Sequence, residues 1–134
     1  MSNVKYLPQY QVHKNLIDIV NRLNYVENKT HPVIVANNMN NCGVILATIN
    51  LRSFTTEERE EVIRLKSILV DIDFACYSSL NGFLYAIRDA KKLACELSLK
   101  YEFTNKRLFR LITPVARVLC YSETYIMNIT EKNN

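Results

Sequence analysis

An all-α fold of four or five helices is predicted for this chain, on three observations. Apolar residues return every three or four positions along most of its 134 residues, the period of a helix that buries one face. Only two glycines, Gly43 and Gly82, and three prolines, Pro8, Pro32 and Pro114, are present. A multi-hairpin sheet needs many tight turns, and such turns draw on residues that accept positive φ. Apolar residues make up 49% of the chain and charged residues 22%, enough for one core and too apolar for a disordered chain. The length suits a single helical domain over 1–134. No linker, internal repeat or low-complexity segment divides it.

The first helix is expected over 8–26. Pro8 suits a first helical turn. Leu16, Ile19, Val20 and Leu23 share one face, with Lys14, Asp18 and Arg22 elsewhere on the cylinder. Residues 27–31 read as a loop, and Pro32 can start the next element. Residues 32–51 fit two readings. As a helix, Val35, Met39, Cys42, Ile45, Leu46 and Ile49 form one stripe. As a β-hairpin over 33–50, the β-branched runs 33–35 and 44–49 pair across a loop at 37–43. Four asparagines within five positions, Asn37, Asn38, Asn40 and Asn41, weaken the helix by a few tenths to about 0.7 kcal/mol each. The helix is the preferred reading.

The clearest local signal follows. Thr55 precedes Glu58 by three residues, the spacing of a capping box, and Glu57 and Glu58 suit the positive end of a helix. From there Val62, Leu65, Leu69, Ile72, Cys76, Ser79, Phe83, Ala86, Ala90, Leu93 and Leu97 keep a 3-4 alternation, with one polar interruption at Ser79. Either one long helix or two helices, 55–79 and 80–101, satisfy it. A second stripe, Ile68, Phe74, Tyr77, Leu84, Ile87 and Cys95, makes this region apolar on two sides, so it should pack on two sides. Thr104 or Asn105 can cap a last helix over 105–129, whose stripe is Leu108, Leu111, Ile112, Val115, Leu119, Ser122 and Ile126. Pro114 should kink that helix or restart it.

Composition also excludes function classes. Two glycines cannot build a GxGxxG turn or a P-loop, so phosphate cradling by either route is excluded. The four cysteines, Cys42, Cys76, Cys95 and Cys120, form no CxxC pair and match no zinc ribbon or finger. They read as buried free thiols in apolar surroundings; Cys76 and Cys95 in particular should react slowly. The N-terminus lacks an apolar signal core, and no stretch approaches about 18 uninterrupted apolar residues. The expectation is an intracellular chain, cytoplasmic or nuclear, with no membrane span and reduced thiols.

Candidate chemistry is sparse. His13 and His31 have no companion ligands at metal-binding spacing, so neither a metal nor a cofactor is expected. Asp71 and Asp73 are two apart and cannot share a helix face as an acid/base pair; they are expected to pair with the basic last helix. No Ser or Cys stands beside a His base, so catalytic residues are expected to be absent. Charge is uneven: residues 55–73 are acidic-rich and 86–120 basic-rich, the pattern of complementary faces within one bundle. The strongest basic cluster is Lys100, Lys106, Arg107, Arg110 and Arg117, interleaved with Tyr101, Phe103 and Phe109. Basic plus aromatic residues can hold phosphates and stack bases, although the net charge of +4 is mild for a nucleic-acid binder.

One local likeness is present. Arg110-Leu111-Ile112-Thr113-Pro114-Val115-Ala116-Arg117, with Cys120 after it, resembles the opening of a C-terminal bundle helix in acyl-CoA dehydrogenases of the alkylation-response type. About twenty residues carry it. It implies a stand-alone helical domain related to that bundle, with no flavin or catalytic residue carried over. The chain has no room for that family's β-domain and no glycine-rich segment after the helix.

The functional expectation is therefore a non-enzymatic protein that binds other proteins, itself included, most simply as a two-fold homodimer. An unbroken helix over 57–102 would be about 60–70 Å long, while a globule of this size spans only about 35–40 Å. Its ends would then present Val62, Leu65, Leu93 and Leu97 as the interaction face. The alternative is a basic helical nucleic-acid binder using residues 100–117.

Overall fold

The computed structural model describes residues 6–24 and 31–132. Among those described residues it contains five α-helices and no strand. They are α1 (Gln9–Asn24), α2 (Pro32–Leu46), α3 (Thr56–Asp71), α4 (Leu80–Thr104) and α5 (Lys106–Lys132), with a short 3-10 turn at Phe74–Cys76. The end of the predicted first helix, 25–26, lies outside the described residues.

Helix α5 lies at the centre and packs against α4, α1 and α2. Its whole predicted stripe, from Leu108 through Ile126, is buried, Ser122 included. The Ser122 hydroxyl donates to the Val118 carbonyl at 2.7 Å, which satisfies the one polar group in that stripe. The helix does not restart at Pro114; it runs unbroken from 106 to 132. Buried neighbours on both sides, Leu111, Ile112, Val115 and Leu119, hold it together where local propensity would end it. In α1, Leu16, Ile19, Val20 and Leu23 are buried as their spacing predicts.

Residues 33–50 form no hairpin. They give α2 and a following turn, with the helix ending at Leu46 rather than at 51. Tertiary contacts override the asparagines. Val35, Met39, Cys42 and Leu46 are buried, and two asparagines have structural partners. Asn38 donates to the Ile34 carbonyl at 3.0 Å. The Asn40 amide reaches the carbonyls of Leu69 at 2.8 Å, Val70 at 3.2 Å and Ile72 at 2.7 Å. It thereby caps the end of α3, whose last carbonyls have no partner within the helix. His31 is the N-cap of α2: its Nδ1 accepts from the Val33 amide at 3.1 Å, and its ring meets Phe74 edge-on.

The long heptad run is two helices, not one. Helix α3 stops at Asp71, and α4 starts at Leu80. Ser79 is not a core position: it is the N-cap of α4, its hydroxyl accepting from Gly82 N at 3.1 Å. Asp73 caps the intervening turn by accepting from Ala75 N at 3.0 Å, so it does not pair with the last helix. Cys76, expected in the core, is exposed in that turn. The capping box at the start of α3 is present, with Glu58 N donating to Thr55 Oγ1 at 3.1 Å and Thr55 N to Glu58 Oε1 at 2.9 Å.

Candidate interaction surface

The break at 72–79 decides the fate of the expected interaction face. It lets α4 fold back along α3, so that the start of α3 meets the end of α4. Lys100 Nζ reaches Glu57 at 2.8 Å and Glu61 at 2.9 Å, and the Tyr101 hydroxyl donates to Glu61 at 3.1 Å. Val62, Leu65 and Leu97 are consequently buried in the core, and Leu93 is half-buried against it. These four do not form a free surface. Each half of the run now fits within the bundle, so an overhanging helix no longer supplies the reason for a partner.

Two members of the basic cluster, Lys100 and Arg107, are engaged within the fold. Glu57 first and then Glu61 raise the Lys100 ammonium above its ordinary range by accepting hydrogen bonds from it. Burial, followed by the Glu61 hydrogen bond, drives the Tyr101 phenol well up. The acidic run at the start of α3 thus finds its complement in α4. Arg107 is engaged too: Nε donates to Gln9 Oε1 at 2.9 Å and Nη1 to Ser53 Oγ at 3.3 Å, with the guanidinium 5.1 Å above the Phe54 ring. Lys106, Arg110 and Arg117 are exposed and meet no carboxylate among the described residues. Arg110 lines a groove between α1 and α5 with Gln9, Tyr10 and His13. Phe103 lies on the surface, 86% exposed, rather than in the core.

A different surface emerges on α2. The segment 32–51 holds no charged residue, yet α2 is not enclosed. Val33, Ile34 and Val44 are exposed by 41%, 47% and 58%. Asn37 and Asn41 are exposed with them, unlike Asn38 and Asn40, which serve the fold. Ile34, Asn37, Asn41 and Val44 follow one another at intervals of three, four and three, and so form one outward stripe. Val70 and Ile63 of the neighbouring α3 are exposed as well. Gly43 lets α3 approach closely: a Cβ built there would stand 2.6 Å from Val70 Cγ2 and 3.0 Å from its backbone nitrogen. On the other flank, Asp18 and Arg22 of α1 line a shallow groove with Asn41 and Val44.

The sequence did carry a signal for this surface, the uncharged run 32–51. Spacing alone does not reveal it, because one core stripe of Val35, Met39, Cys42 and Leu46 already accounts for the segment's apolar period.

Among the described residues, no helix is long and apolar enough to cross a membrane, and no group of three or more His, Cys, Asp or Glu is arranged to hold a metal ion. Comparison with family models, with curated proteins and with solved structures gives no match, so the likeness of residues 110–117 to acyl-CoA dehydrogenases rests on those residues alone.

Proposed function

We propose that this protein is a non-enzymatic helical interaction protein that pairs with a second copy of itself through the outer face of α2. One observation carries the reading: a helix of fifteen residues without a charge presents Ile34, Asn37, Asn41 and Val44 at heptad a and d spacing. Two such stripes can interlock as knobs into holes, and a polar Asn at a seam position selects register and oligomer state. The occupant is a second copy because the stripe is self-complementary. An amide donates and accepts, so Asn can meet Asn across a two-fold axis. No like charges oppose each other on the seam. Asp18 and Arg22 at its border have opposite signs, so the border carries no net charge of one sign to oppose pairing. The area is modest. Val33, Ile63 and Val70 must join the seam to approach the roughly 1,200 Å² of a standard interface, so the dimer belongs to the weak, reversible class.

Ile34→Lys and Val44→Lys test the reading. Each should convert the dimer to a monomer while helix content and melting temperature stay as in the parent, because both positions face solvent within one chain. Phe103→Glu, on the exposed end of α4, should leave the dimer intact. Retention of the dimer in both α2 variants, with its loss in Phe103→Glu, would move the interface to α4.

A second reading rests on Arg110, Lys106 and Arg117, which meet no carboxylate among the described residues. With Tyr10 and His13 they offer phosphate contacts and one exposed ring beside the α1–α5 groove. Affinity for single-stranded nucleic acid that falls steeply with salt, and that Arg110→Ala weakens, supports it.

A further inference from the structure

The α4–α5 seam contains two cysteines that neither helix capping nor the proposed α2 interface uses. The helices run antiparallel, and polar contacts mark their register. Lys91 Nζ meets Glu123 Oε1 at 3.0 Å, and Arg88 Nε meets the same carboxylate at 3.3 Å. Further along, the Ser98 and Thr113 hydroxyls are 2.9 Å apart. Cys95 lies on α4 between Lys91 and Ser98. Cys120 lies on α5 between Thr113 and Glu123. Residues three or four apart share a helix face, so Lys91, Cys95 and Ser98 face the seam together, as do Cys120 and Glu123. The two thiols therefore face one another across the seam. Both are partly exposed and both are free. Burial first, and then the neighbouring Cys120 thiol, raises the Cys95 thiol above its ordinary range, while the Lys91 ammonium opposes that rise.

We propose that Cys95 and Cys120 form a reversible redox site, closing to an intramolecular disulfide that joins α4 covalently to α5 when the chain meets a hydroperoxide. One thiol, as its thiolate, attacks a peroxide oxygen of hydrogen peroxide; it becomes a sulfenic acid, and the departing hydroxide leaves as water. The second thiolate attacks that sulfur and expels the hydroxyl, again as water. The thiols lose two electrons and two protons, and the peroxide takes up both. A dithiol reductant reverses the change. The bond would lock the most extensive helix pair of the bundle. Cys42 is excluded from the exchange by full burial, and Cys76 by its place in the 72–79 turn.

The test uses the full reduced chain. It is treated with hydrogen peroxide, alkylated while folded and again after denaturation, and mapped by peptide mass. The expected product is a Cys95–Cys120 crosslink within one chain, with loss of two alkylatable thiols and their return on reduction. Cys95→Ser should abolish the crosslink at unchanged helix content. Phenylarsine oxide, which bridges two adjacent thiols, provides a second measurement needing no oxidant. One equivalent should protect Cys95 and Cys120 together and leave Cys76 open. Separate sulfinic acids at Cys95 and Cys120, crosslinks through Cys76, or arsenical protection of neither seam cysteine would overturn the proposal.

Discussion

The chain's two glycines should respond oppositely to the same substitution. At either site Gly→Ala removes backbone freedom from the unfolded chain and favours a helix by up to about 1 kcal/mol. Gly82 is the third residue of α4, and a Cβ there would meet only Ser79 Oγ at 3.6 Å and Tyr77 side-chain atoms at 3.9 and 4.0 Å. These are ordinary contacts, so Gly82→Ala should stabilise by about 0.5–1 kcal/mol. At Gly43 the same Cβ would stand 2.6 Å from Val70 Cγ2, 3.0 Å from Val70 N and 3.1 Å from Lys66 O. The first contact can be relieved by turning a side chain. The other two are backbone, on the hydrogen-bonding ladder of α3, and yield only if the helices separate. Separation would also lengthen the Asn40 bonds that cap α3. Overpacking of this kind costs about 1–3 kcal/mol, which outweighs the helical gain. Gly43→Ala should therefore be less stable than the parent by up to about 2 kcal/mol, and Gly43→Val less stable again. Urea denaturation followed by circular dichroism measures both signs. A Gly43→Ala variant as stable as Gly82→Ala would refute the close approach of α2 to α3.

The other predictions follow from the core, the caps and the thiols. Leu69→Ala should cost roughly 2–5 kcal/mol and Phe83→Ala about 3–5 kcal/mol, both being fully enclosed; denaturant midpoints near the parent's would contradict that. Leu65→Glu and Leu97→Glu should unfold the chain rather than release a partner, seen as loss of helical circular dichroism. The Asn105 amide first, then the Thr55 backbone, hold the Glu58 carboxyl below the ordinary value of 4.5. An acid depressed on folding adds stability at higher pH, and this is lost as pH falls through its folded value. The melting temperature should therefore drop below pH 4.5, and less steeply in Asn105→Ala, where the Glu58 carboxyl titrates nearer its ordinary value. Cys76 should be the first thiol modified in the native state and Cys42 the last, since burial pushes the latter's pKa up to about 12; timed alkylation with peptide mapping gives the order.

Helices that are amphipathic on one side were legible from spacing alone. Every apolar position named for the first and last helices is buried, and the Thr55–Glu58 box is formed as its spacing implies. The break between α3 and α4 was legible only as one of two readings, because Cys76 and Ser79 fit a 3-4 alternation while lying outside any α-helix. The single polar residue of that run, Ser79, marked the break, for a serine before a helix is a cap. With the break went the interaction face expected at Val62, Leu65, Leu93 and Leu97. In α2 the propensity of asparagine argued against what long-range contacts decide: Asn40 is satisfied by α3, thirty residues away in the chain. No local pattern reports that. The basic cluster was legible as charge but not as place, because the orientations of Lys100 and Arg107 depend on partners in α3, in α1 and at Ser53.

Self-pairing through α2 is tested most directly by sedimentation equilibrium of the reduced chain from low to high micromolar concentration. The account predicts a mass rising reversibly toward twice the 15.6 kDa of one chain, and a Val44→Lys variant that stays at the single-chain mass throughout. A parent chain that remains at 15.6 kDa across the whole range would contradict it.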